Sequence, residues 1–216
     1  MEIGTLKKLR TVAPGSLILL GSVPGYAFVT GLPLSSMHGL DWVIAGAGIV
    51  VSYVLGAIYN LYGLRAVFNG NSHARIITNI KHRLLEIGRT TPLTDERKNQ
   101  LERGSELMDV FYSLVDSNDT LKERAKLVRD NGLIWSTVAD VTMLSTMFGA
   151  LYLPLWLTTG EAQFMIWGLG AAVVALVAGL SWHPRAERRH VQLGNDQLNF
   201  IAQHLKNEAS EKVNAL

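Results

Sequence analysis

The sequence predicts an all-α integral membrane protein. It reads as four transmembrane helices in two hairpins, N-in/C-in, with a cytoplasmic helical insert between spans two and three. Three observations carry that prediction. The apolar residues gather in four blocks of roughly 20, the length a helix needs to cross a ~30 Å hydrocarbon core. All 20 Lys and Arg lie outside the blocks: three before the first, twelve between the second and third, five after the fourth. The tryptophans fall near block ends, Trp42, Trp156 and Trp167 outside and Trp135 and Trp182 inside, where an amphipathic ring meets the headgroups.

The first span is Pro14 to Leu34, without a charge. Pro14 and Gly15 open it, and Pro24 inside it leaves the carbonyl of Leu20 without a helical donor, predicting a kink. Lys7-Lys8-Leu9-Arg10 ahead of Leu17 to Val29 has the outline of a signal peptide, but the two internal breakers favour a membrane helix. The second span runs from Trp42 to about Leu64, the third from Leu133 to Leu157, and the fourth from Ala162 to Trp182. Short loops, Ser35 to Leu40 and Thr158 to Glu161, place consecutive spans side by side and antiparallel. The only charges between paired spans are acidic, Asp41 and Glu161, so the lysine and arginine bias puts both termini and the central segment in the cytoplasm. The organisation is 1–64 for the N-terminus and first hairpin, 65–132 for the insert, 133–182 for the second hairpin and 183–216 for the tail.

In the insert, Ile76, Ile77, Ile80, Leu84 and Ile87 recur at helical spacing over Ala74 to Gly88, stopped by Thr90-Thr91-Pro92. A second helix, about Thr94 to Asp116, sets Leu101, Gly104, Met108, Phe111 and Val115 in steps of three and four, the spacing of a short coiled-coil seam. Thr120 with Glu123 reads as a capping box for a third helix, which leads across Asn131-Gly132 towards span three. The tail opens on a basic cluster in which Arg185, Arg188 and Arg189 suit anionic headgroups. Asp196 to Lys212 then forms an amphipathic helix with Leu198, Ile201 and Leu205 on one face. Leu101, Met108, Phe111, Val115, Leu198, Ile201 and Leu205 are therefore the expected partner or oligomer contacts.

Composition excludes several classes. At 48% hydrophobic and 18% charged, with net charge +2, the chain is too apolar for disorder. It has no cysteine, hence no disulfide framework. The insert mixes twelve basic with ten acidic residues, which is not the one-signed surface of a nucleic-acid groove. There is no G-x-S-x-G, H-E-x-x-H or Walker motif. Asp116 to Thr120 starts like a calcium loop but puts Leu121 at the glycine position and Leu127 at the glutamate position. The six histidines show no metal-ligand spacing with carboxylate support, and neither metal nor cofactor is expected.

Asp140 resists a bland account, because it lies about 10 Å into span three by the helical rise, where a charge costs several kcal/mol. With Ser136 and Thr137 it forms a polar stripe that either lines a pore or holds helices together, with Asn60 or Tyr59 as partner. Gly48, Ser52 and Gly56 in span two, Ala171, Ala175 and Gly179 in span four, and Gly21 with Gly25 in span one let helix backbones approach. The expected function is non-enzymatic. The chain reads as a homo-oligomeric anchor or sensor in a bacterial inner membrane that docks a soluble cytoplasmic partner, by architectural analogy in an envelope-stress or phage-defence module. A homo-oligomeric channel lined by span three is the alternative, and a membrane enzyme or transporter comes third.

Overall fold

The computed structural model describes residues 3–31, 41–89 and 94–216, with the backbone alone at 3 and 41–47. The loop Ser35 to Leu40, the stop Thr90-Thr91-Pro92 and the Trp42 ring lie outside what is described. The chain is all-helical, 92% helix, with no strand among the described residues. Its elements are α1 (Ile3–Thr30), α2 (Asp41–Leu61), α3 (Ala66–Gly88), α4 (Asp95–Arg103), α5 (Glu106–Ser117), α6 (Asp119–Thr159), α7 (Ala162–Val177), a π turn (Ala178–Trp182), α8 (His183–His204) and α9 (Lys206–Asn214). Three stretches are long and apolar enough to cross a membrane: Gly4–Thr30, Asp119–Thr159 and Ala162–His204. A fourth joins them when α2 and α3 are counted together across their short break.

Several elements depart from their expected bounds. Helix α1 starts well before Pro14 and carries both Pro14 and Pro24 inside it, since a proline removes one donor without forbidding the turns that precede it. Helix α3 begins at Ala66 rather than Ala74. The expected Thr94–Asp116 helix is two helices, because Gly104 adopts an extended ψ of 175° and ends α4. Asn118 caps α6 in place of the Thr120–Glu123 box, its Oδ1 accepting from the Leu121 N–H at 3.2 Å. Glu123 instead pairs with Lys126 at 2.5 Å. Asn131 and Gly132 pass within α6 without interruption.

The helix of span four does not stop at Trp182. Pro184 offers no N–H to the Leu180 carbonyl, and the backbone answers by widening one turn, where His183 N–H donates to the Ala178 carbonyl five residues back. The amphipathic tail helix is broken at Leu205, whose φ of −126° and ψ of 20° separate α8 from α9.

Two compact units result, Met1–Asn69 with Leu133–Ala186, and Gly70–Gly132 with Glu187–Leu216. The first is apolar outside as well as inside. Val29, Leu61, Leu157, Ile166 and Leu180 are exposed, as a surface facing lipid requires. Within it α1 and α2 touch backbone to backbone. A Cβ on Gly15 would stand 1.7 Å from the Ser52 carbonyl oxygen, and one on Gly56 equally close to that of Thr11. Ser16 Oγ donates to Ser52 Oγ at 3.1 Å across the same contact. Span four's Gly179 approaches the Thr142 methyl, whereas among the described residues no atom comes within 4 Å of a Cβ on Gly48.

The second unit has an ordinary core in which Leu84, Leu107, Leu114, Leu121, Leu198, Ile201 and Val213 are fully buried. Arg75 pairs with Glu187 at 2.6 Å, and Asn79 donates to Asn195 at 2.9 Å. Lys81 is buried and donates to the carbonyls of Glu102 at 2.8 Å and Gly104 at 2.6 Å. A cation there satisfies orphan carbonyls at the end of α4 and meets the negative pole of its dipole.

The α1–α2 contact is open to measurement. Gly15→Leu and Gly56→Leu drive a side chain into backbone that cannot yield, and each should destabilise the detergent-solubilised protein by about 3 kcal/mol, read as a lowered Tm. Gly48→Ala should stay within about 0.5 kcal/mol.

Candidate functional site

The polar centre of the apolar unit is built on three pieces of chain. Helix α6 presents Asp140, which is 1% exposed. The turn Tyr62 to Arg65 after α2 presents Arg65, and it closes through Gly63, whose φ of +62° suits glycine and few other residues. Helix α1 presents a carbonyl. Arg65 Nε donates to Asp140 Oδ1 at 2.7 Å and Nη2 to Oδ2 at 2.8 Å, a two-point fork matching guanidinium to carboxylate. Nη2 also donates to the Arg10 carbonyl at 3.0 Å. That carbonyl sits four residues before Pro14, so it is the oxygen that proline deprives of its helical donor. Arg65 therefore neutralises a buried charge and satisfies a broken helix bond with one group.

Tyr59, expected as a partner of Asp140, is buried beside the pair and interacts with the carboxylate, although its hydroxyl lies outside strict hydrogen-bond geometry. Asn60 is exposed. Of the expected stripe Ser136 is turned onto its own helix, as are Thr142 and Thr146 further along it. Ser136 Oγ donates to the Leu133 carbonyl at 2.9 Å, Thr142 Oγ1 to Val138 at 2.8 Å and Thr146 Oγ1 to Thr142 at 2.7 Å. Thr137 is half-buried. Arg65 was missed in the sequence because it heads the basic segment in linear order. The signal that would have found it is the pair of unmet needs, the Asp140 carboxylate and the Arg10 oxygen behind Pro14.

The other expected site residues fall differently. Leu101, Phe111, Val115, Leu198 and Ile201 are buried in the core of the second unit, and Met108 and Leu205 are half-buried. Their apolar surface is engaged within the chain, which corrects the expectation that this face is free for a partner. The periodicity was real, but it described a core. Ser52 and Gly56 are packing positions against α1, and Ala171 and Ala175 border grooves beside α6. Two of these apolar grooves, about 770 and 460 Å3, flank α6 and α7. Arg185, Arg188 and Arg189 are exposed, with Arg185 donating to the Ser181 carbonyl at 3.1 Å. Among the described residues no three of His, Asp and Glu come together as a metal site would need.

The pair can be dissected by a double-mutant cycle on thermal unfolding in detergent. Arg65→Met should cost about 3–5 kcal/mol, because it strands a buried carboxylate. Adding Asp140→Leu to that variant should recover most of the loss, while Tyr59→Phe should cost less than about 1 kcal/mol, since only a poorly aligned contact with Asp140 is removed.

No family model matches the sequence, and neither a curated protein nor a solved structure matches it significantly.

Proposed function

We propose that this chain is a non-enzymatic integral membrane anchor or sensor. In this reading four helices cross a bacterial inner membrane and both termini face the cytoplasm. The unit of Gly70–Gly132 with Glu187–Leu216 is the cytoplasmic part that engages a soluble partner, and the chain works as a homo-oligomer.

One observation supports this reading above the others. The Asp140 carboxylate is buried and forked by Arg65, so the apolar unit holds its charge in a closed pair rather than on a conducting surface. The hydroxyls of Ser136 and Thr142 add to that support, being committed to backbone carbonyls. Groups that face other molecules then belong to the second unit. There Tyr112 and Leu127 are exposed large side chains, outside the core face on which a partner was first expected.

The chain contains no cysteine, so single-cysteine variants report topology without background. With a membrane-impermeant maleimide on intact cells, Glu161→Cys should label. Thr5→Cys, Gln100→Cys and Gln203→Cys should label only after lysis, and the reverse pattern overturns the orientation. The native mass of complexes extracted gently from the host membrane tests the rest. Several copies of the chain with a stoichiometric soluble protein are expected. A symmetric oligomer of this chain alone, with ion conduction altered by Asp140→Asn, would replace the anchor with a pore.

A further inference from the structure

The second unit encloses a cleft of about 270 Å3, just under the ~300 Å3 at which pockets for drug-sized molecules begin. Ile76 and Ile80 of α3, Phe111 and Val115 of α5 and Val128 of α6 make its apolar wall. Phe111 and Tyr112 meet edge to face at the cleft with ring centroids 5.7 Å apart, offering aromatic surface to a flat guest.

Two polar side chains of this wall have bonding capacity left over among the described residues. Gln197 of α8 lines the cleft and is 3% exposed, and no described residue bonds its carboxamide, which keeps some contact with solvent. Arg129 of α6 lines it too, and its Nε is shielded from solvent without a partner. Native interiors leave few such groups unpaired, because each is unstable without a partner. The neighbouring polar residues are otherwise engaged or outward: His190 meets Asn131 at 3.4 Å, His73 has its own interaction, and Asp116 is exposed at the rim.

The chemistry of the missing guest follows from what these groups offer. A carboxamide presents N–H beside C=O, and its full complement is the same pair reversed, the cis-amide edge of a lactam, joined by two parallel hydrogen bonds. Arg129 adds a donor for the same carbonyl. Asp116 also lines the cleft, so its lining carries one formal charge of each sign, which favours a neutral molecule over an anion. We propose that this cleft binds a small, planar, neutral heteroaromatic molecule that carries a lactam edge, read by Gln197 with Arg129 and held against Phe111. This assignment deepens the sensor reading by naming the class of molecule sensed. It is measured on the chain alone, so its failure leaves partner docking and topology untouched.

The test titrates the full-length protein in detergent with isoquinolin-1(2H)-one and with hypoxanthine, which carry the edge on a plain lactam and on a nucleobase, followed by saturation-transfer NMR and calorimetry. Saturable binding of at least one is expected. It should weaken at least tenfold for N-methylisoquinolinone, which lacks the N–H, and at least tenfold in Gln197→Met. Gln192→Met, exposed on the same helix, should bind as the unaltered protein does. The N-methyl comparison uses unaltered protein, so it decides even if Gln197→Met fails to fold. Equal binding of the two isoquinolinones, preference for 1-naphthoate, or no binding of either lactam would overturn the proposal, the last leaving water as the only guest.

Discussion

A carboxylate set deep in an apolar helix is stable only with a cation brought to it, and the apolar unit is organised around that requirement. Arg65 meets Asp140 through two nitrogens and keeps a third contact for the Arg10 carbonyl freed by Pro14. One side chain thereby ties α1 and α6 to the turn that follows α2. Each of the three contacts depends on the others. Without Pro14 the carbonyl would have its own donor, and without Asp140 the guanidinium would be a half-buried charge with nothing to offset it.

That polar junction needs close approach by the backbones around it, which the neighbouring small residues provide. Gly15 and Gly56 bring α1 and α2 together beside Thr11 and Ser52, only a turn or so from the Arg10 carbonyl. In a hydrocarbon setting helices gain little from burying apolar surface against one another, so backbone proximity and polar contacts have to hold them. The second unit works by the opposite rule. Its leucines and isoleucines are withdrawn into a core, its helix ends are capped by Asn118 and Lys81, and its few charge pairs lie outside. One chain thus contains two solutions to the hydrophobic problem, one suited to lipid outside and one to water outside.

How much of this was legible depended on the range of the interaction. The apolar blocks, the helical insert and the packing roles of Ser52 and Gly56 follow from periods of three and four within one segment. The break at Gly104, the Asn118 cap and the split at Leu205 were missed because each turns on a small local preference that neighbouring contacts tip. Lys81 stands between isoleucines in the sequence with nothing to mark it as buried, and only the end of α4, brought beside it, makes it a cap. The Leu101 to Val115 spacing was read as the face of one helix, but Gly104 divides it between two, and periodicity alone does not say whether the chain covers those residues itself.

By itself the sequence determined that this is a helical chain with several segments apolar enough to cross a membrane, because hydropathy and helical period are properties of a stretch of residues read in order. It also located Asp140 as the residue that had to be explained. Which group answers that carboxylate, which glycines carry a helix crossing, and which polar side chains are left facing a cleft were decided only by the tertiary structure. Those facts join residues as distant as Arg65 and Asp140. Their pairing energy exists only once the helices are in place.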